Sequence, residues 1–531
     1  MQISYDAMIY TVSIAIYLFA LVGVGVYKTK MVKNSEDFMV AGRSLPWYIL
    51  VGTLLATWMG SGSLFSGAGL GYRNGPAALW SSGGAWLGIA LIYFIAKRIR
   101  NFGKVTVPDI FEIRYGRTAA VLATITTVVA YLTIVSYQFR GGGKVLSMVS
   151  DGFITLEAGI VITAVFAISY TVLAGMFSVV YTDVVNGVLM TIGTLAALGY
   201  MVYNVGGIGE IIAVADQAGK WSMFGNWSSE RVGGISGPII AISFFVPTML
   251  LLMGDANMYQ RIFSAKDGVS AKKAVFFWII GVIILESSIS FLGLTGSVAA
   301  DKGLMPDLVG DSQAIVISEA AQSGHAPTDA DMLSARQAGS ESVIPAIAKH
   351  GGLPLIIGLL LVSTMMAIIV STADSFLLIP ATNLTRDVYQ RYINTKASEQ
   401  QIIFISRALV LGLGLVAYLL VSQFKTVLNA AFTAYNIYGA SLTPALLAAF
   451  LWKRATKEGA VASIITGASV TIVWTYFLPG WEGFSKMHPF LQELTYPAAG
   501  LSVMVLVVVS LVTPAPPKEV YGQFFDDSET L

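Results

Sequence analysis

Residues 363–387 read STMMAIIVSTADSFLLIPATNLTRD. The run is apolar and long enough to cross a bilayer, with Arg386 and Asp387 marking one exit. Its middle holds Ser371, Thr372, Asp374 and Ser375. At 3.6 residues per turn, Ser371, Asp374 and Ser375 stand at i, i+3 and i+4 and share one face, with Thr372 about 100° further round. An Asp at the centre of a span costs roughly 2.5–3.5 kcal/mol on insertion scales, so a helix that only filled space would not carry one. Hydroxyls and a carboxylate clustered in this way are hard oxygen ligands, suited to a hard cation rather than to a soft metal.

The elements that must position this cluster are membrane spans. The chain of 531 residues is 55% hydrophobic and 12% charged, with mean hydropathy +0.71, which excludes a soluble domain of this size. The net charge of +1 gives no footprint for nucleic acid. The absence of cysteine removes disulfides, thiolate metal sites and cysteine nucleophiles. The three histidines, His325, His350 and His488, fall between predicted spans, so a histidine relay inside the membrane is not expected. Hydropathy predicts thirteen spans: 8–27, 46–72, 77–96, 118–149, 155–174, 179–204, 235–262, 274–299, 353–383, 402–422, 426–452, 459–479 and 495–513. The first begins without a basic n-region or cleavage site and reads as a retained helix. Alternate loops are basic: Lys28, Lys30, Lys33 and Arg43; Lys97, Arg98, Arg100 and Lys104; Arg261, Lys266, Lys272 and Lys273; Arg386, Arg391, Lys396 and Arg407; Lys453, Arg454 and Lys457. By the positive-inside rule the N-terminus is outside and the C-terminus cytoplasmic. The long segment at 300–352 lies outside and reads mostly as a solvated loop, and 207–218 as a short interfacial helix.

Two spans are interrupted. Gly60-Ser61-Gly62 breaks 46–72, and Pro247 with Gly254-Asp255-Ala256-Asn257 breaks 235–262. They open two five-span groups, 46–204 and 235–452, and interrupted helices in corresponding places point to inverted repeats around a midplane site. An unwound turn frees carbonyls that must find a partner. A cation near Ala56 and Met59 would supply one. Arg140, Asp183 and Glu286 are further intramembrane ionisable residues. Arg140 is either a partner of these carboxylates or a fork for a substrate carboxylate. Glu286 reads as a structural polar contact.

LAGMFSVVYTDVVNGVLM resembles the signature region of the sodium:solute symporter family, as do VSTADSFLL followed by TRDVY, and YGASLTPALLAAFLWKRATKEGA. With the span plan, the resemblance covers roughly 8–513. It implies an all-α polytopic fold of the leucine-transporter type, with a 5+5 inverted repeat and two interrupted helices. Its parts would be an N-terminal extra helix and loop (1–45), repeat one (46–204), an external connection (205–234), repeat two (235–452), two C-terminal helices (453–513) and a cytoplasmic tail (514–531). It implies a sodium site made by the carbonyls of Ala56, Met59 and Ile368 with the hydroxyls of Ser371 and Thr372. A second cation site, found in some members, would fall at Asp183, Asp374 and Ser375 with Ser371 shared. Asp374 departs from the family, which resembles Ser there, so either sodium or a proton suits the site. ATWMGSG resembles the first-helix motif of choline-transporter-like members, where Trp58 would serve an aromatic cage. Asp255, Asn257 and Arg140 suit a zwitterion or an organic acid instead.

The expected function is a sodium-coupled symporter in the plasma (inner) membrane. It would import an organic acid, amino acid or related polar solute by alternating access, with Na+ as coupling ion and no cofactor. A quaternary amine or other neutral solute, or a sensor module on the same fold, are the alternatives. No nucleophile–base pair or metal-ligand set in the spans points to an enzyme, and the expected partners are solute, Na+ and lipid.

Overall fold

The computed structural model describes residues 4–29, 34–104, 106–225, 227–232, 235–323, 325–481 and 483–525. The loop residues Lys30 and Lys33 and the acidic end of the tail lie outside the described residues. Within them the chain is nearly all helical, and the sheet-like pairing is one isolated bridge between Leu45 and Ala265. That bridge joins the entry to the first interrupted helix with the end of the second, through Leu45 N to Ser264 O at 3.1 Å and Lys266 N to Leu45 O at 2.9 Å.

Twelve helical runs are long and apolar enough to span a bilayer, against thirteen predicted spans. The difference lies at the first break. Trp47–Trp58 is too short alone, and the half beyond the break continues through the turn Gly75–Ala78 into Leu79–Asn101, making one run. The spans predicted at 155–174 and 179–204 are both present. They stand as Leu156–Leu173 and Ser178–Asn204, parted at Gly175, whose φ of +60° belongs to the left-handed region. The Phe38 ring packs there, 2.6 Å from where a Cβ would stand. Caps mark many loop-to-helix borders: Thr155, Asp267, Ser398 and Thr426 each accept an amide three residues on, leaving fewer orphan donors at the helix starts.

The helix Leu355–Asn383 is the centre of the bundle. Every residue from Thr364 to Asn383 is buried, as expected of a helix apolar on all faces with its polar cluster turned to other protein. It packs on Leu156–Asn204, Arg117–Val149 and Trp47–Trp58. Outer helices instead expose large apolar side chains such as Phe19, Phe94, Phe404 and Leu419, which suits lipid tails as solvent.

The segment at 300–352 is largely helical, and solvated along Leu308–Ser323, where no residue is buried. It forms Leu308–Ser323, Asp329–Ser340 and Val343–His350, and the apolar stretch Val343–Ala348 is buried. Two buried carboxylates anchor this outer layer. Glu341 accepts the amides of Val427 (3.2 Å) and Leu428 (2.9 Å) at the start of the Val427–Ser441 helix, and pairs with Lys144 at 3.1 Å. Glu230, in the connection before the second interrupted helix, takes both arms of Arg73 at 2.8 Å and Asn74 at 2.9 Å. Arg73 also donates to Ser340. The second half of the first broken helix is thereby tied to the outer layer.

Burial alone would raise the Glu230 carboxyl, but the Arg73 guanidinium outweighs it and holds the group at about 2. Its contribution to stability is therefore complete above its ordinary value of 4.5 and is lost as pH falls towards 2. Arg73→Ala, which leaves the carboxylate buried and unpaired, should cost ~3–5 kcal/mol. In detergent, the melting temperature of the wild type should fall more steeply on acidification than that of Arg73→Met/Glu230→Gln. Equal slopes would remove this pair from the account of acid stability.

Candidate functional site

The first interrupted helix ends at Trp58, and Met59 leaves it with extended geometry. Its freed carbonyls meet the central helix. The Ser371 hydroxyl donates to the Ala56 carbonyl at 2.8 Å, and the Thr372 hydroxyl to the Met59 carbonyl at 2.6 Å. Thr372 also lies 3.5 Å from the Thr57 carbonyl. Ala56, Met59, Ser371 and Thr372 are all buried. Gly60 permits the approach: a Cβ there would stand 3.0 Å from the Thr372 methyl and 2.9 Å from the Gln138 amide nitrogen. Gln138 accepts the Ser61 amide at 2.8 Å and so pins the unwound turn from the other side. Four oxygens from two chain segments converge here, a donor set that fits a hard cation. Ile368 lies one turn before Thr372 on the same buried helix; there its carbonyl already belongs to the helix's own ladder.

Asp183 and Asp374 occupy a second polar box. Thr53 donates to Asp183 Oδ2 at 2.6 Å, with Thr57 at 3.4 Å from the same oxygen. Ser375 donates to Asp374 Oδ1 at 3.2 Å. Between them stands Arg261, which donates to Asp183 Oδ2 (3.3 Å), Ser375 Oγ (2.7 Å) and Thr53 Oγ1 (2.9 Å). This corrects the reading of Arg261 as a loop cation, because its side chain is 1% exposed. It belongs to Ala256–Ser264, the continuation of the second interrupted helix, four residues after Asn257. Two buried carboxylates against one guanidinium leave the box one negative charge in excess if both are ionised. Among the described residues, Asp183 Oδ1 has no hydrogen-bond partner.

The other candidates separate. Asp255 caps the second half-helix, accepting Asn257 N at 2.7 Å and the Tyr131 hydroxyl at 2.6 Å. Tyr438 donates to the Gly254 carbonyl at 2.8 Å and accepts Ala256 N at 3.1 Å. Asp255 and the Asn257 amide thus serve the second break itself, and the Asn257 side chain stands 3.5 Å from Arg261. Arg140 donates to the Lys425 carbonyl at 3.0 Å, so the structure does not join it to Asp255, nor pair it with Asp183, Asp374 or Glu286. Trp58 faces a cleft with Tyr435, and the two rings stack at 6.5 Å between centroids. Glu286 sits against the same cleft, where it accepts the Trp58 indole N–H at 2.8 Å. Sequence reasoning left Glu286 as a structural contact; the spacing of residues 58 and 286 carries no sign that they meet.

An all-helical membrane bundle, in which a broken helix meets a hydroxyl-bearing helix at its own freed carbonyls, defines a secondary transporter of the leucine-transporter type. Solved structures agree on the fold. A Na+-coupled sialic acid symporter in a substrate-bound, outward-open state matches with TM-score 0.76 at 18% identity, covering 97% of this chain and 99% of that one. MhsT in complex with L-phenylalanine matches at 0.52 and 14% identity, covering 87% and 98%. The family model described as "Sodium:solute symporter family" matches residues 38–467, and the chain belongs to that family. Among its relatives, the osmoregulated proline transporter OpuE of Bacillus subtilis is 25% identical over 97% of this chain and 96% of its own. The sodium/proline symporter of Escherichia coli is 26% identical over 90% and 89%. The protein is a multi-pass membrane symporter of a small organic solute coupled to Na+, and not an enzyme.

Removal of the Arg261 charge should expose the excess in the carboxylate box. Arg261→Gln is expected to destabilise by ~3–5 kcal/mol, the cost of a broken buried pair. Adding Asp183→Asn should restore much of the loss, so the double mutant melts above Arg261→Gln alone. Strict additivity in that double-mutant cycle would show that the two residues are not coupled.

Proposed function

We propose that sodium drives transport from the site formed by the Ala56 and Met59 carbonyls and the Ser371 and Thr372 hydroxyls, with the Ile368 carbonyl completing it. The observation that carries this reading is the pairing of both hydroxyls with those two carbonyls. A cation at this point ties the first broken helix to the central helix. Its departure releases that tie, so occupancy can bias one access state over the other. Repeats 46–204 and 235–452 rock about this midplane contact, with the N-terminus outside and the C-terminus in the cytoplasm of a cell bounded by its plasma membrane. The solute is an amino acid or a similar small polar molecule, a reading supported by relatives named as proline transporters. It binds beside Trp58, one residue from the Met59 carbonyl.

A second coupled cation balances Asp183 and Asp374, whose two charges Arg261 meets with one. With sodium as that ion, the Hill slope for sodium approaches two and falls towards one in Asp183→Asn. With a proton instead, the slope stays near one and transport gains a pH dependence that Asp374→Ser abolishes. A slope of one with no pH dependence, in a wild type that both mutants match, would end the second-ion proposal.

Ser371→Ala and Thr372→Ala test the first site. Each removes one oxygen ligand, worth ~1.4 kcal/mol, and should raise the sodium concentration for half-maximal uptake about tenfold. Affinity for solute at saturating sodium should change far less. Unchanged sodium activation in both variants would overturn the assignment.

A further inference from the structure

Resting on that reading of the solute cleft, we propose that Glu286 is its recognition group for a protonated amine, so that the transported solutes carry a positively charged nitrogen bearing N–H. Glu286 belongs to the helix Gly268–Asp301 and is 5% exposed. Its Oε1 accepts Trp58 Nε1 at 2.8 Å and its Oε2 accepts Trp86 Nε1 at 2.8 Å, with the Ser63 hydroxyl 3.5 Å from Oε1. Indole N–H is donor only, so both tryptophans spend their one polar atom on this carboxyl and fix its orientation. A carboxylate offers about four acceptor positions. Trp58, Trp86 and the longer Ser63 contact take three of them and leave at most one, in a cleft whose walls include Ser82, Thr248 and the Trp58 and Tyr435 rings.

The chemistry of a mere spacer would be different. Two indole donors need an acceptor, which a neutral amide supplies without placing a charge among apolar neighbours. A buried carboxylate is costly unless a cation answers it. Three other buried carboxylates have one: Glu230 has Arg73, Glu341 has Lys144, and Asp183 has Arg261; Asp255 instead caps a helix start, where the helix dipole and the Tyr131 hydroxyl meet its charge. Among the described residues, no Lys, Arg or His forms an ion pair with Glu286. The cation it suits is one that arrives in the cleft. A protonated amine there would donate to the carboxylate, in place of the long Ser63 contact, and lie against the Trp58 and Tyr435 ring faces, which favour positive charge. The neighbouring backbone gives the coupling a direct route. Trp58 precedes Met59, whose carbonyl belongs to the proposed sodium site, so the group that holds Glu286 and the group that holds sodium are neighbours at the end of one helix.

The probes are L-proline, its ring-oxygen analogue tetrahydrofuran-2-carboxylate, and glycine betaine, which is charged at nitrogen but bears no N–H. Binding to the purified full-length protein is measured by calorimetry, with a thermal shift on sodium addition as a separate readout of the cation site. L-Proline should bind in sodium, the ring-oxygen analogue at least a hundredfold more weakly, and glycine betaine no better than the analogue. Glu286→Gln should lose L-proline affinity at least tenfold and keep its sodium-induced thermal shift. If the oxygen analogue or betaine binds as well as L-proline, or if Glu286→Gln keeps full L-proline affinity, the proposal is overturned. If sodium raises the melting temperature but L-proline does not bind, the amine assignment falls and the sodium site stands; if sodium itself has no effect, the reading beneath it fails. The comparison of L-proline with its oxygen analogue is made on wild-type protein and decides the matter even where Glu286→Gln does not fold.

Discussion

A polypeptide inside a bilayer must satisfy every backbone polar group from its own resources. The chain unwinds the helix begun by Trp47–Trp58 in the middle of the membrane and meets that requirement with Ser371 and Thr372. The central helix has to be buried on all sides to bring these hydroxyls to the break, and nearly all of its residues from Leu361 onward are. Small residues have to line the crossing, and Gly60 does so where a methyl group would strike Thr372 and Gln138. The second break meets the same requirement differently, with Asp255 capping its own helix and Tyr131 and Tyr438 holding the turn.

Charge follows a similar economy. Arg73, Lys144 and Arg261 each answer a buried carboxylate, the first two in the outer layer and the third in the box at Asp183. The outer two fasten the segment at 300–352 to the helices beneath it. The inner one joins the continuation of the second broken helix, through Arg261, to the first broken helix at Thr53 and to the central helix at Ser375. The three elements that alternating access would move against one another thus share one hydrogen-bonded box. A change of charge in that box acts on all three contacts at once, because each is made by the same guanidinium.

The proposed ion and solute sites are neighbours rather than separate pockets. Ala56, Thr57, Trp58 and Met59 are consecutive, and they face, in turn, the Ser371 hydroxyl, the carboxylate box, Glu286 and the Thr372 hydroxyl. The end of a helix can do this because the 100° step turns the Thr57 and Trp58 side chains to different neighbours, while the carbonyls of Ala56 and Met59 are freed by the break. This gives the coupling between ion and solute a short physical path through a single backbone segment.

Much of this was legible in the residues alone. Apolar runs of span length and two breaks follow from local composition, though the first break falls at Met59–Gly60 with the helix resuming at Ser61, and Pro247 stays inside the helix Gly237–Gly254 that ends at the second. The family follows as well, because its motifs are contiguous. Long-range contact decided the remainder. Arg261 looked like one more basic residue beside Lys266, and only the packing of its short helix turns it inward to Asp183. Arg140 and Asp255 looked like one zwitterion site, yet the fold gives Arg140 to the Lys425 carbonyl and Asp255 to its own helix start. Glu286 met Trp58 across 228 residues of chain. The sequence by itself determined which residues could not tolerate lipid and must turn inward; the tertiary structure decided which of them share a partner, because that choice depends on how separate helices cross and not on any spacing along one of them.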